Sequence, residues 1–298
     1  MKAVLFNRYG GSDVLEYTDI ARPTPGPGQV LVKVAATSFN PVDAGIRGGY
    51  LTDAFAIDLP HVPGIDVAGR VDGDPVIGLL PMNADGAAAE FVVAPAEALT
   101  AAPRSVPLAD AAALPAVGLT AWQALFDVAK LQAGQSILIN GAGGAVGGYA
   151  AQLATQAGAV VTATASARSA DRLRDSGADR IIGYLDYAQP IEHRYDVVLN
   201  LVSTTPEQTA ALADAVVDGG FLVGTMTAAP EGRIRSTRMF VRSDTAQLAE
   251  LVRRVDAGSL RIDVADRRPI TDTAAIHDAS DANRLRGKTI LTPAASER

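Results

Sequence analysis

The chain has 298 residues, of which 48% are hydrophobic and 28 are glycine, and this size predicts about two domains with sizeable cores. Its formal net charge of −7 argues against nucleic acid as a partner. Cysteine is absent, which excludes disulfides, thiolate nucleophiles and cysteine-ligated zinc, and three histidines are too few for a histidine-rich metal site.

Targeting and membrane signals are not evident in the sequence. The N-terminal residues MKAVLFNRYGGSD lack a long apolar core and a cleavage motif, so no signal peptide is predicted. The longest apolar stretch, AAALPAVGLTAW, is short and interrupted by proline, so no membrane span or membrane partner is predicted. We therefore expect a soluble, cytoplasmic protein.

The first third of the chain reads as short strands. KAVLF, VLEYTDI, QVLVKVAAT, DVAGRV, PVIGLL and EFVVAP contain β-branched residues and are separated by turn residues such as RPTPGPGQ. Strands at this close spacing indicate a small barrel or sandwich.

From about Ala109 the pattern changes to helices and then to a strict alternation. SILIN, VVTATA, RIIGY, YDVVLNLV and FLVGTM read as strands, with helices between them at AVGGYAAQLATQAG, SADRLRDSG and TPEQTAALADAVVDGG. Short apolar strands that alternate with amphipathic helices predict a doubly wound, Rossmann-like domain with a parallel sheet.

The C-terminal part adds one amphipathic helix, TAQLAELVRRVDAG, and a tail that ends in strand character. We expect this tail to return to the first domain. The predicted division is therefore residues 1–115 with 243–298 for the strand-rich domain, and 116–242 for the Rossmann domain.

The loop GAGGAVGG follows the strand SILIN and opens a helix. Its spacing fits A-x-G-x-x-G at Ala142, Gly144 and Gly147, where small residues permit a tight turn, close backbone approach to a pyrophosphate and helix–strand packing. The alternative is a glycine-rich turn without a ligand. The strand before and the helix after favour a dinucleotide site.

The end of the second Rossmann strand predicts which dinucleotide is bound. An NAD site usually has Asp or Glu about 20 residues past the glycines, but no acidic residue occurs between Tyr149 and Ala170. Ser166 and Arg168 stand there instead and suit a 2′-phosphate, so NADPH is favoured over NADH. Arg172, one helical turn further, either assists or is simply a solvated charge, and a solvated charge is also the alternative for Arg168.

With these motifs in place, the chain resembles the zinc-independent medium-chain dehydrogenases/reductases of the quinone oxidoreductase (zeta-crystallin-like) type. The resemblance covers nearly the whole chain and rests on SFNPVDAGIRGGY, LPHVPGIDVAGRV, GAAAEFVVAP, AAALPAVGLTAWQAL, SGADRIIGY, YDVVLNLV, GGFLVG and RGKTILTP. It implies a GroES-like β-barrel domain plus the Rossmann domain, with the active site in the cleft between them.

The resemblance also implies metal-free chemistry. Zinc-using relatives have Gly-His-Glu where this chain has Gly64, Ile65 and Asp66, and an isoleucine cannot bind a metal. Without a Lewis acid, alcohol oxidation is not expected, whereas hydride delivery to an electron-poor quinone or enone remains feasible.

Three catalytic candidates follow from the resemblance. Asn40 matches a position beside the nicotinamide and substrate, or it holds the turn before Pro41. Thr120 matches a position near the nicotinamide ring, or it is a helix-interior threonine. Tyr50 is the best candidate proton donor, although it could instead line the cleft and water could supply the proton. Asp43 could simply brace a loop.

The family pattern also suggests a cofactor-binding set. Tyr184 resembles a tyrosine that contacts the adenosine phosphate, with a strand-end aromatic as the alternative. Asn200 and Ser203 replace the Asp and Gly that are commoner in relatives, in a segment that approaches the nicotinamide. The full predicted set is Asn40, Thr120, Gly141, Ala142, Gly143, Gly144, Ala145, Val146, Gly147, Ser166, Arg168, Tyr184, Asn200, Leu201, Val202 and Thr225.

Two further features lie outside that set. The stretch AGRVDGDPV is shorter than usual in the family, because the loop between two barrel strands is largely missing. Among the histidines, His61 reads as a loop or cleft-lining residue, and His193 and His277 read as ordinary surface residues.

The leading hypothesis is an NADPH-dependent reductase of a quinone or α,β-unsaturated carbonyl, without zinc. An enoyl-thioester reductase is the close rival, and it would need a long channel and a basic docking patch for the carrier. No clear basic cluster is evident near the cleft, although Arg233, Arg235 and Arg238 form a local one. A non-enzymatic NADPH-binding redox sensor or structural protein is the rival of a different class. A homodimer is expected, paired through the strand edges FLVGTM or MFVRS.

Overall fold

The structure is a computed structural model that describes residues 1–54, 56–226 and 234–294. The chain divides into two compact units. The first comprises residues 1–116 and 243–298, and the second comprises residues 117–242. Arg233 of the predicted basic cluster lies outside the described residues.

The strands of the described residues are, in chain order, β1 Lys2–Leu5, β2 Glu16–Asp19, β3 Gln29–Ser38, β4 Asp66–Val71, β5 Asp74–Leu79, β6 Phe91–Pro95, β7 Leu99–Ala101, β8 Ser136–Asn140, β9 Val160–Thr164, β10 Arg180–Ile182, β11 Tyr195–Asn200, β12 Val216–Gly224, β13 Arg235–Arg238, β14 Asp266–Pro269 and β15 Thr289–Thr292. The α-helices are α1 Pro41–Arg47, α2 Pro115–Trp122, α3 Ala145–Gln156, α4 Ala167–Asp175, α5 Pro206–Asp214, α6 Thr245–Asp256 and α7 Thr273–Asp281.

The first unit is built on a mainly antiparallel sheet in the order β14-β15-β3-β4-β5-β7. The strand β6 lies outside this order and pairs with residues 29–33 of β3. The C-terminal strand β15 pairs with β3, where Ile290 lies opposite Ser38. Alternating apolar residues of β3, β4 and β6, including Val32, Val67 and Val92, form one core of this unit. The GroES-like barrel that the family resemblance implies is confirmed.

The second unit contains a six-stranded sheet in the order β10-β9-β8-β11-β12-β13, and every pairing in it is parallel. This is the doubly wound order, in which the chain starts in the middle and moves out to both edges. Ile137, Leu138 and Ile139 of the central strand β8 are fully buried because helices cover both faces. The predicted Rossmann fold is confirmed.

Some predicted boundaries are wrong. The helix read over TPEQTAALADAVVDGG ends at Asp214, since Val216 already starts β12. FLVGTM was predicted as an exposed edge, but Phe221–Gly224 pairs with β11 on one side and β13 on the other. In the described part of the sheet the edge strands are β10 and β13, and the residues of MFVRS follow β13 outside any strand. The helix α7 in the tail was not predicted.

One helical segment, Asp110–Val128, is long enough and apolar enough by composition to cross a membrane, contrary to the prediction from its proline. Of its apolar window, 72% is buried within the structure. Because buried core helices pass the same test of length and composition, this segment is only weak support for a membrane span.

Candidate functional site

The glycine loop of the second unit connects β8 to α3, and two of its glycines are required by geometry. Gly141 has φ +90°, and a Cβ there would lie 2.7 Å from Cγ1 of Val202. At Gly147 a Cβ would lie 2.4 Å from the Cα of Ala142. The loop is therefore a tight turn that packs directly on the first turn of the helix.

The N-terminus of α3 faces this loop. Gly144 is its N-cap in an extended conformation, with φ −81° and ψ 178°, and carries no side chain that could cap the helix. The N–H groups of the first turn, which includes Ala145 and Val146, have no intrahelical acceptor and carry the positive end of the helix dipole. A loop of glycines and one alanine at this end fits the pyrophosphate of a dinucleotide.

A buried polar network fixes the start of the loop. The Gly141 N–H donates to Oγ1 of Thr164 at 2.8 Å, and that hydroxyl donates to Oδ1 of Asn140 at 3.1 Å. Nδ2 of Asn140 donates to Oδ1 of Asn200 at 2.8 Å and to the hydroxyl of Tyr187 at 2.9 Å. Burial raises the pKa of Tyr187, and the hydrogen bond from Asn140 opposes that rise.

Sequence reasoning missed Asn140, Thr164 and Tyr187 as parts of this site. The available signal was a polar residue at the end of each of two neighbouring apolar strands, SILIN and VVTAT. Since the carboxyl ends of parallel strands meet at one edge, such residues come together.

Asn200 is 1% exposed, and its side chain belongs to the same network. Its Nδ2 donates to Oγ1 of Thr204 at 3.0 Å, and its backbone carbonyl accepts from the N–H of Thr225 at 3.1 Å. The adjacent Leu201 N–H donates to the carbonyl of Asn140 at 2.9 Å. The Asn200 amide thus connects the strand ends. In the segment that follows Asn200, the side chain of Val202 packs against Gly141 of the glycine loop.

The end of β9 carries the residues predicted to select the cofactor. Ser166 is the N-cap of α4, its hydroxyl makes no capping hydrogen bond, and Arg168 is exposed in the first turn. The N–H of Ala165 donates to the carbonyl of Ile182 at 3.0 Å, which aligns the ends of β9 and β10. Tyr184 follows two residues later and is 77% exposed. The structure brings Ser166, Arg168 and Tyr184 to the same sheet edge.

Arg172 has a defined contact with the glycine loop. Its Nη2 donates to the carbonyl oxygen of Gly143 at 2.6 Å. A Cβ on Gly143 would lie 3.0 Å from Oγ of Ser169, so α4 packs against the loop here. The interpretation of Arg172 as a solvated charge is wrong, because a buried part of its side chain ties helix α4 to the loop.

Asn40 in the first unit is the N-cap of α1 and is 5% exposed. Its Nδ2 donates to Oδ2 of Asp66 at 2.8 Å, and its Oδ1 accepts from Nζ of Lys288 at 2.6 Å. Lys288 Nζ also lies 3.2 Å from Asp66 Oδ2, with both side chains almost fully buried. This ion pair fixes the orientation of the Asn40 amide.

Asp43 braces the same region. Its Oδ2 accepts from the N–H of Asn40 at 2.8 Å, and its Oδ1 accepts from the N–H groups of Gly64 at 3.1 Å and Ile65 at 3.3 Å. Burial raises the pKa of Asp43 to about 6, against the lowering effect of the hydrogen bond from Asn40. The carboxyl therefore has a structural task, as its bracing interpretation predicts.

The other two catalytic candidates are Tyr50 and Thr120, and Tyr50 lies apart from this cluster. Tyr50 follows the C-terminal end of α1 and is 85% exposed, whereas Asn40 is at the N-terminal end of the helix. Seven helical residues separate the two ends by about 10 Å. Thr120 is half-buried in α2 of the second unit.

The prediction that His277 is a surface residue is wrong. His277 is 1% exposed in α7 and packs edge-to-face on Phe39, with ring centroids 4.9 Å apart. Burial, reinforced by the charge of Arg47, lowers its pKa to about 3. His61 is also buried, against Phe6, whereas His193 is exposed.

No group of three or more His, Cys, Asp or Glu side chains is placed to hold a metal ion anywhere in residues 1–54, 56–226 and 234–294. Ile65, at the position where zinc-using relatives have a histidine, is 4% exposed, and its hydrocarbon side chain offers no ligand atom.

A barrel unit joined to a Rossmann unit with this loop defines the class of medium-chain dehydrogenases/reductases. Two family models match: the alcohol dehydrogenase GroES-like domain at residues 26–75, and the zinc-binding dehydrogenase domain at residues 176–291. The second family's name refers to zinc, although this chain has no cysteine and has isoleucine at position 65.

Individual relatives identify the family within this class. The quinone-oxidoreductase homolog of Spinacia oleracea chloroplasts is 36% identical over 70% of this chain and 70% of its own. The NADPH-dependent alkenal/one oxidoreductase of Arabidopsis thaliana chloroplasts is 32% identical over 98% of this chain and 80% of its own. The quinone oxidoreductase structure from Coxiella burnetii superposes with a TM-score of 0.89 at 28% identity, covering 99% of both chains. The chain belongs to the zinc-independent quinone oxidoreductase family of medium-chain dehydrogenases/reductases, and it is an oxidoreductase.

Proposed function

We propose that this oxidoreductase uses NADPH to reduce a quinone or an α,β-unsaturated carbonyl by hydride transfer, without a metal. The observation that carries the proposal is the end of β9. Ser166 and Arg168 occupy the place where an NAD enzyme has its ribose-binding carboxylate. The name of the Arabidopsis thaliana relative, an NADPH-dependent alkenal/one oxidoreductase, agrees with this choice.

The proposed cofactor contacts follow from the second unit. The first-turn amides of α3 hold the pyrophosphate, while Gly141 and Gly147 let the backbone approach it closely. Ser166, Arg168 and Tyr184 hold the 2′-phosphate at the shared edge of β9 and β10. When bound, the cofactor supplies the hydride, and the protein supplies position and electrostatics.

The proposed acceptor follows from the relatives' names and from the chain's side chains. With Ile65 in place of a metal-ligating histidine, the chain offers no side chain there to activate an alcohol, whereas a quinone or enone is already electron-poor. Asn40 is proposed to orient substrate or nicotinamide, held by Lys288 and Asp66. Thr120 is proposed to lie near the nicotinamide.

Tyr50 is the proposed proton donor for enone reduction. Its phenol is 85% exposed, so it is accessible to substrate and to water. If it donates the proton, Tyr50→Phe should lower kcat for an enone by about tenfold or more. It should leave quinone reduction unchanged, since water can protonate the hydroquinone anion that hydride transfer produces. An enone kcat that is the same in Tyr50→Phe and in the parent enzyme would remove Tyr50 from the mechanism.

The function is tested by NADPH consumption with a panel of quinones, enones and enoyl thioesters, with NADH as the control cofactor. Turnover of quinones or enones with NADPH supports the proposal. Preference for enoyl thioesters would favour the rival reductase, and NADPH binding without turnover of any acceptor would contradict the proposal.

We also propose that the protein is cytoplasmic and forms a homodimer. The edge strands of the described sheet, β10 and β13, are the strands open to pairing with a second copy. Arg235 and Arg238 lie on β13 and disfavour pairing through that strand. Light scattering after gel filtration tests the dimer: a mass near twice 30.7 kDa supports it, and a mass near 30.7 kDa contradicts it.

A further inference from the structure

We propose that the outer face of the barrel unit binds the phosphate group of a small molecule through Arg22, Lys33 and Arg70. These side chains surround a cavity of about 280 Å³, whose lining also includes Leu31 and Phe91. The site lies within the first unit and is independent of the proposed cofactor contacts in the second. In a chain with a net charge of −7, three converging cations are an exception to the general charge.

The strand register creates a like-charge contact at this site. Lys33 on β3 lies directly opposite Arg70 on β4, and on its other side directly opposite Phe91 on β6. Residues directly opposite one another in a sheet point to the same face, with Cβ atoms about 5 Å apart, and like charges in that arrangement are destabilising. An anion between Lys33 and Arg70 would remove this repulsion.

Protein carboxylates do not neutralise the cluster. Over the described ranges 1–54, 56–226 and 234–294, none of Arg22, Lys33 and Arg70 forms an ion pair within 4.0 Å. Asp72 is the one acidic residue in the cavity lining. Three cations and one carboxylate leave a net charge of +2, which matches a phosphate dianion.

Two contacts pre-organise the guanidinium groups. Cζ of Arg22 lies 3.9 Å from the centroid of the Phe91 ring, a cation–π contact that holds this side chain over the sheet. Nη1 of Arg70 donates to the carbonyl of Gly73 at 2.7 Å. Because both guanidinium groups are already placed, binding an anion costs little side-chain entropy.

The shortened barrel loop explains why this site is open. β4 and β5 are joined by Asp72 and Gly73 alone, with φ +49° and +97°, which is the two-residue hairpin geometry of an Asp-Gly turn. These turn residues form the rim of the cavity. The family resemblance implies a longer loop at this point, so the site is a feature of this chain's own sequence.

The test is an NMR titration of the full chain with inorganic phosphate and with phenyl phosphate. The Nε–Hε signals of Arg22 and Arg70 report at the cavity itself, so binding at Arg168 does not interfere. We expect both signals to shift and saturate at low millimolar ligand. Tighter binding of phenyl phosphate would identify an organic phosphate resting on Phe91 and Leu31, and equal binding would identify free phosphate.

The double variant Lys33→Gln/Arg70→Gln should weaken binding, read at Arg22, by at least tenfold. The matched control is Arg180→Gln/Arg194→Gln, which removes two exposed cations from the second unit and should change the affinity by less than twofold. Chemical shifts that do not saturate, or an affinity that is the same in the two double variants, would show that these residues form only a solvated basic face. Binding of a glutamate-rich peptide with no response to either phosphate would also overturn the assignment.

Discussion

Two arginines on one helix have different tasks in the proposed cofactor site. Arg168 is exposed beside the N-cap of α4, where a 2′-phosphate is proposed to lie. Arg172, one turn later, donates to the Gly143 carbonyl at 2.6 Å. Arg168 would contact only a phosphorylated cofactor, whereas Arg172 would fix the loop for either dinucleotide.

Arg168→Gln should raise the Kd for NADPH by about 10- to 100-fold and leave the Kd for NADH unchanged. A hydrogen bond to a charged group contributes about 1.5–3 kcal/mol, which corresponds to that factor. Fluorescence titration of the bound nicotinamide measures both constants. An equal loss for NADH would show that Arg168 does not distinguish the 2′-phosphate.

Arg172→Ala should instead weaken NADPH and NADH by the same factor, about tenfold, because the Gly143 carbonyl loses its donor and the loop loses its position. Arg174→Ala is the matched control, since Arg174 on the same helix pairs with exposed Asp171. The same fluorescence titration applies. A loss confined to NADPH would mean that Arg172 binds the 2′-phosphate directly.

At the scale of elements, the buried ion pair between Asp66 and Lys288 joins β4 to the segment before β15. It also orients Asn40 at the start of α1. Removing one partner of such a pair leaves the other charge buried, which costs about 3–5 kcal/mol.

Lys288→Ala should therefore lower the free energy of unfolding by about 3–5 kcal/mol in urea. Glu16→Ala, at an exposed strand residue of the same unit, should change it by about 0.5 kcal/mol or less. Equal effects of the two variants would mean that the buried pair does not stabilise the barrel unit.

His277 makes the stability of the first unit sensitive to acid. Its folded pKa is about 3, against 6.5 for an ordinary histidine, so between these values the unfolded state binds more protons. Stability should fall as the pH drops below 6.5, by about 3 kcal/mol on reaching pH 4.5. His277→Gln should flatten this dependence when urea unfolding is measured from pH 7 to 4.5.

Asp43 acts in the opposite direction over the same range. Its folded pKa is about 6 and its ordinary pKa is 3.8, so its contribution to stability grows as the pH falls through 6. Asp43→Asn removes that contribution and should make the loss of stability with falling pH steeper.

For His277, a pH dependence of stability that is unchanged in His277→Gln would show that this histidine does not titrate as its burial requires.

The elements that could be predicted from the sequence are those with a strong local pattern. The alternation of apolar strands with helices predicts the order of the Rossmann unit, because each strand is buried on both faces. The end of α5 was misplaced, since Ala215, Val216 and Val217 suit a buried helix and a buried strand equally well.

Residues whose role depends on distant contacts could not be predicted. His277 lies in a polar-looking segment, and only the packing of α7 on Phe39 buries it. Lys288 is 248 residues from Asn40 in sequence, so nothing local indicates their hydrogen bond. Arg168 could be proposed from the sequence because its signal, a missing carboxylate at a fixed distance from the glycines, is local.

For the whole molecule, the two units supply different parts of one proposed reaction. The second unit supplies the loop, the helix dipole and the arginines for NADPH. The first supplies Asn40, held in a buried charged cluster, and has Ile65 where zinc-using relatives have a histidine. The central claim is that this pairing delivers a hydride from NADPH to a quinone or enone.

The measurement that tests this claim most directly is the steady-state kcat/KM for NADPH and for NADH with one quinone and one enone, in the presence of a metal chelator. The account predicts turnover that survives the chelator and a kcat/KM at least tenfold higher with NADPH. An equal or higher kcat/KM with NADH, or activity that requires added zinc, would contradict it.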